Sequence, residues 1–124
     1  MAVQVLAALL VAHFLGDFTP LATARMQKAK AVGRPVGPIA AHAMVHAVLV
    51  AIAVWIVGGP GAALVATAAG VEFATHLAID WTRGRIGALR PGFRDPATQA
   101  FWSLLGLDQL AHVLVLVWIV SIIT

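Results

Sequence analysis

Apolar residues dominate four stretches of the chain, at about 2–18, 37–58, 61–82 and 98–123, and polar residues collect between them. A membrane-crossing helix needs about 20 predominantly apolar residues, so each stretch has the length of a span. The second and third are joined only by Gly58-Gly59-Pro60-Gly61, a turn with no room for a loop domain. The pattern predicts an all-α membrane protein. Its four transmembrane helices form an up-down bundle, one domain over residues 1–124.

The polar connections carry signals of their own. Thr19-Pro20 suits a helix N-cap and first helical residue, and Gly33 suits the position past a helix end. The stretch between them, PLATARMQKAKAV, therefore predicts a short basic amphipathic helix lying on the inner membrane surface. Asp95-Pro96 predicts a similar start for the fourth helix. Trp81 and Trp102 are expected at the inner interface, Trp55 and Trp118 at the outer one. Ala62, Ala66 and Gly70 form a stripe that allows close helix packing.

Composition agrees with membrane insertion. The chain is 61% hydrophobic and only 10% charged, with a mean hydropathy of +0.96, where soluble domains carry about 25% charged residues. Cysteine is absent, which excludes disulfides and thiolate metal sites. All 8 Lys and Arg fall in two connections: Arg25, Lys28, Lys30 and Arg34, then Arg83, Arg85, Arg90 and Arg94. The positive-inside rule puts both connections in the cytoplasm and both termini outside. Basic residues so placed point to lipid headgroups, not to nucleic acid. The first stretch has the length of a signal peptide, with Ala22-Thr23-Ala24 as a possible cleavage site. Its positive cluster follows the apolar run instead of preceding it, so it is expected to stay as a span.

Ionisable residues recur inside the spans in a fixed spacing. The pairs are His13 with Asp17, His42 with His46, His76 with Asp80, and Asp108 with His112. Residues four apart share a helix face, about 5–6 Å from one another. All 5 histidines are used this way, and Glu72 extends the third pair to a stripe of three. The pairs lie toward the ends of their spans nearer the basic connections, the fourth reaching mid-span, so a four-helix bundle brings all eight groups into one layer. A lone histidine on an apolar face is usually a hydrogen-bonded core residue; eight groups at matched depth favour a metal centre over a structural polar network.

Charge points the same way. A central intramembrane aspartate costs roughly 2.5–3.5 kcal/mol, so several unpaired carboxylates cost on the order of 10 kcal/mol. No Lys or Arg lies within the four stretches. Two divalent metal ions would cancel Asp17, Glu72, Asp80 and Asp108 charge for charge, with zinc first and iron or manganese as alternatives. His42 and His46 are the leading ligands, followed by His76, Asp80, Asp108 and His112; His13 and Asp17 bind or orient. Glu72 sits deepest, as a ligand, a general base or a protonated acid. Gln109 lies about 100° off the Asp108 face and is the weaker candidate.

HFLGDF near the start, a lysine shortly after, HLAID followed by a basic residue, and DQLAH near the end resemble a bacterial family of small membrane proteins. It is known as domain of unknown function 3307. The resemblance spans nearly the whole chain and implies a bacterial inner (plasma) membrane location. The family pattern has glutamine where this chain has Leu21 and lysine where it has Arg83. The intramembrane His/Asp pattern is also similar to that of membrane-bound metal-dependent hydrolases.

The expected function is an intramembrane di-metal hydrolase acting at the cytoplasmic face on a phospholipid or lipid-linked phosphoester. Glu72 or Asp17 would manage the proton. A metal or proton transporter is one alternative, disfavoured because residues 47–66 and 113–120 are almost entirely apolar. A di-iron oxidase or hydroxylase is another, since di-iron bundles use the same donors. Membrane lipids are the expected partners, and the bundle acts alone or as a homodimer.

Overall fold

Five α-helices and no strand make up the chain in a computed structural model that describes residues 1–124. They are α1 (Ala2–Phe18), α2 (Ala24–Val32), α3 (Val36–Ala53), α4 (Ala62–Leu89) and α5 (Gln99–Ile123). A π-helical turn, Val54–Gly58, prolongs α3, and Gly59 closes it at φ 58°. Three rods, Val36–Gly58, Ala62–Leu89 and Gln99–Ile123, are long and apolar enough to cross a membrane. The apolar α1 is shorter, 17 residues, or about 25 Å.

In the bundle α3 packs between α1 and α4, and α5 closes the ring against α4 and α1. The late residue Asp17 of α1 meets the early residue His42 of α3, and Arg83 of α4 meets Asp108 of α5. Neighbouring helices are therefore antiparallel, as expected. At the end away from the basic connections, Val5, Leu9, Val50, Val54, Ala68, Leu116, Ile119 and Val120 form a closed apolar core. Dispersion and close packing between these side chains hold this core together.

The connections differ from expectation in an instructive way. Neither Thr19-Pro20 nor Asp95-Pro96 starts a helix. Both open β-turns, closed by Ala22 N–H to the Thr19 carbonyl and by Thr98 N–H to the Asp95 carbonyl, each at 3.0 Å. The fixed φ of proline suits the second residue of a turn as well as the first of a helix. The next threonines do the capping. Thr23 Oγ1 accepts from Met26 N–H at 3.3 Å, and Thr98 Oγ1 from Phe101 N–H at 3.2 Å. Gly33 ends α2 in the left-handed region, φ 71°, as expected.

Three further differences bear on the site. First, α4 runs past residue 82 to Leu89 and carries Arg83 and Arg85 on its last turns. Second, α2, the short helix expected after the first stretch, is docked on the bundle. It packs on α4 and α3 with Ala29 buried, and a Cβ added at Gly84 would overlap the backbone of Lys30 and Gly33. The short helix is a lid across the basic end. Third, Ala62, Ala66 and Gly70 face outward, and a Cβ at Gly70 meets nothing within 4 Å. The intimate small-residue contacts are at Gly84 and Gly16 instead. All four tryptophans are exposed.

Candidate metal centre

Each bundle helix turns one stripe inward, and each stripe changes character part-way along. On α4 it reads Ala68, Glu72, His76, Asp80, Gly84, all buried. Steps of four residues stay near one face of a helix with 3.6 residues per turn. On α1 the stripe runs from Val5 and Leu9 to His13 and Asp17; on α3 it runs from Val54 and Val50 back to His46 and His42. On α5 it runs from Leu116 back to His112 and Asp108. The apolar members build the core at one end, and the ionisable members meet beside it.

All eight residues expected to converge do so, together with Glu72. Among the five imidazoles, neighbouring ring centroids lie from 3.7 Å apart (His46 and His76) to 5.9 Å (His13 and His76). The crowding needs Gly16, where a Cβ would overlap the His46 ring. Three sets of donors have ligand atoms within 4.8 Å of one another: His13, His46, Glu72 and His76; Asp17, His42, His46 and His76; and His76, Asp80 and His112. Asp108 belongs to none of them. Its Oδ2 accepts from Gln109 Nε2 at 3.1 Å and lies 3.8 Å from Arg83 Nη1.

The third set is chemically the most telling. His112 Nδ1 stands 2.8 Å from the Asp108 backbone carbonyl, which can only accept, so Nδ1 carries the hydrogen. Its Nε2 is then a bare lone pair, buried and without a hydrogen-bond partner. His76 repeats the arrangement: Nδ1 donates to Glu72 Oε1 at 3.0 Å, and the buried Nε2 has no hydrogen bond. Both lone pairs face Asp80, at 3.4 Å from Oδ2 for His76 and 3.8 Å from Oδ1 for His112. Asp80 Oδ1 has no hydrogen-bond partner, and Oδ2 has only the Lys30 ammonium, 3.1 Å away. Acceptors facing acceptors repel unless a cation or proton lies between them.

Separation tells an ion from a water. Donors 3.4 Å apart subtend about 112° at an ion bound at about 2.05 Å, close to tetrahedral. A water hydrogen-bonded at about 2.8 Å to both would see them at about 75°, too acute for its two O–H bonds. The residues fit a metal ion. Orientation of a ligating histidine by a carboxylate or carbonyl behind it is the usual arrangement at such sites. Glu72 and the Asp108 carbonyl fill that role for His76 and His112.

Two cations enter the layer that the sequence pattern does not reveal. Lys30 reaches in from α2, with Nζ 3.2 Å from Asp17 Oδ1, 3.1 Å from Asp80 Oδ2 and 3.0 Å from His42 Nε2. Arg83 reaches Asp108 from α4. The expectation of two ions counted no positive side chain inside the layer; Lys30 and Arg83 also offset part of the charge of its four carboxylates. Gln109 is also central. Besides binding Asp108, its Oε1 lies 3.2 Å from His13 Nε2 and its Nε2 lies 3.5 Å from Asp17 Oδ2. An offset of about 100° on α5 turns it toward α1 instead of removing it from the site.

Beside the layer lies a cavity of about 270 Å³ whose lining mixes polar side chains, among them Asp17, Lys30, Arg83 and Arg94, with the aromatic rings of Phe93 and Phe101. Lys30 and Asp17 stand between this cavity and the His76–Asp80–His112 set. Glu72 lies beneath, out of reach of the cavity.

The positions that carry this arrangement run from Val5 on α1 to the end of α5, the reach of one family. The family described as protein of unknown function (DUF3307) matches residues 5–124. The chain belongs to it. No curated protein and no solved structure matches the chain. For this DUF3307 member the side-chain geometry is therefore the basis of any functional reading.

Proposed function

We propose that the chain is an intramembrane metal-dependent hydrolase whose centre faces the basic, cytoplasmic end of the bundle, with a phospholipid or lipid-linked phosphoester as substrate. One observation carries the reading. Bare lone pairs of His76 and His112 converge on Asp80, one side chain away from a cavity edged by Lys30, Arg83 and Arg94. Exposed apolar residues around the bundle, among them Phe14, Met44, Ile52 and Leu110, support a bilayer surrounding. The basic connections support the cytoplasmic orientation, with both termini outside.

His76, Asp80 and His112 would hold the ion, with zinc as the first choice and iron or manganese as alternatives. A bound divalent ion brings the pKa of water toward neutrality and polarises a phosphoryl oxygen. The chain does the rest. Glu72 and the Asp108 carbonyl fix the tautomers of His76 and His112. Asp17, the carboxylate lining the cavity, accepts the proton of the attacking water. Lys30, which lines the cavity, would present its ammonium to the phosphate. Transport finds less support, because the apolar core leaves no polar path beyond Glu72.

A second reading rests on the same set: two histidines and one carboxylate also suit a non-haem iron oxygenase. Metal analysis of the full-length protein in detergent, followed by reconstitution with phospholipids, separates the two. About one equivalent of zinc, lost in Asp80→Asn and His112→Ala, with lipid hydrolysis by the wild type alone, is the expected result. A wild type that takes up no zinc, iron or manganese overturns the proposal, as does a loaded protein inert on every phospholipid. Iron with an oxygen-dependent lipid product moves the assignment to the second reading.

A further inference from the structure

Beside the polar cavity, α4 and α5 leave an apolar groove of about 380 Å³, lined by Ile79, Ile86, Leu104, Leu107 and Ala111 among others. Arg83 and Leu104 line both the cavity and the groove. Asp108 lies at the floor of the groove, and the Arg83 guanidinium reaches it there at 3.8 Å. A cationic chamber thus opens sideways, past one arginine, onto a channel of hydrocarbon side chains running along the outside of the bundle. Arg94 is also built into the chamber. Gly87 leaves room for it: a Cβ there would stand 3.1 Å from Arg94 Cγ, so the arginine stem lies along α4 with its head toward the cavity.

We infer that the cavity and the α4–α5 groove form one composite binding site for a single anionic phospholipid, entering laterally from the bilayer. Its phosphate sits among Arg83, Arg94 and Gln27, against the aromatic wall of Phe93 and Phe101. One acyl chain lies along Ile79, Ile86, Leu104 and Leu107. Charge complementarity selects the headgroup through Arg94, which lines the cavity with no carboxylate partner, whereas Lys30 and Arg83 are already engaged by Asp17, Asp80 and Asp108. Guanidinium groups recognise phosphate through paired N–H donors. The apolar groove selects a lipid over a free phosphate ester, because a water-soluble ester leaves it unfilled. The inference rests on the preceding reading for the bilayer surrounding, and does not depend on the metal.

The experiment therefore reads binding without metal. Full-length protein, treated with chelator in detergent, is titrated with phosphatidylglycerol, phosphatidylcholine, diacylglycerol and glycerol 3-phosphate, and the complexes are counted by native mass spectrometry. One phosphatidylglycerol per chain, held at least about tenfold tighter than diacylglycerol or glycerol 3-phosphate, is expected. Arg94→Ala, an exposed position, weakens it by about tenfold or more, and Arg94→Lys recovers part of the loss. Leu107→Trp, at a position that lines the groove and not the cavity, fills the groove and weakens phosphatidylglycerol while leaving glycerol 3-phosphate unchanged. Diacylglycerol binding as tightly as phosphatidylglycerol overturns the site, as does indifference to Arg94→Ala. Glycerol 3-phosphate binding as tightly as the lipid replaces it with a free-phosphate site. One-to-one lipid binding without turnover sinks the hydrolase and keeps the site; turnover without such binding does the reverse.

Discussion

Lys30 Nζ and Asp80 Oδ2 lie 3.1 Å apart, although one residue belongs to a nine-residue helix in a basic connection and the other to the middle of an apolar rod. The contact makes α2 part of the centre. It also sets the ammonium as a competitor for the negative charge that a metal would use.

Replacing Lys30 separates these two effects. In metal-free protein Lys30→Met leaves Asp17 and Asp80 without their cation, and such losses cost about 3–5 kcal/mol for a buried pair. With zinc the penalty shrinks and affinity for the ion rises. Thermal unfolding of both proteins, with chelator and with zinc, reads the difference. An equal fall in Tm under both conditions argues that Lys30 and the ion do not share a site.

Glu72 and Asp80 sit on one stripe of α4, yet their substitutions should part company. Asp80→Asn removes a donor of the ion and abolishes binding. Glu72→Gln removes only the group behind His76, and losses of that kind run about 10–100-fold in affinity. Zinc titration against a competing chelator measures both. Equal, complete loss in the two variants assigns Glu72 to the ion directly.

Gly84→Ala and Gly70→Ala, two small changes in one helix, should differ in sign. At Gly84 the new methyl meets the backbone of Lys30 and Gly33, which has no rotamer to change. Overpacking of this kind costs about 1–3 kcal/mol and lifts α2, so metal-free Tm falls. At Gly70 nothing is met, and helix propensity favours alanine by up to about 1 kcal/mol. Melting curves in one detergent decide it; a destabilised Gly70→Ala points to a second copy of the chain against that face.

Chelation offers a further check. Eight buried polar atoms have no well-formed hydrogen bond within the protein, although Asp80 Oδ2 faces Lys30 and His46 Nε2 faces Asp17; an atom left wholly unsatisfied costs about 1–3 kcal/mol. Loading the wild type with zinc should raise Tm by several degrees, and the same addition to His112→Ala should not. Equal rises in both proteins would mean that zinc acts elsewhere.

The residues that converge were legible in the sequence because their signal is local. Spacing of four on a helix fixes a face, and alternating direction fixes a common depth, with no knowledge of partners needed. Lys30, Gln109 and Arg83 were hidden because their roles depend on neighbours. Nothing in residues 24–32 states that α2 folds back over Gly84, and Gln109 gains its place only from α1 standing beside it. Pro20 and Pro96 misled for a physical reason, since one backbone angle serves two structures. The Ala62–Gly70 stripe misled for another: small residues permit close contact but do not supply a partner.

The packing of Val5, Leu9, Val54 and Ile119 at the far end has a last consequence. A pore needs two mouths, and the apolar core closes the far end of this bundle. On the proposed bilayer reading, whatever reaches Asp80 leaves on the side of the basic connections, and each molecule serves a single leaflet. Vesicles holding the protein in both orientations would contain two populations, each blind to the lipids that the other can touch.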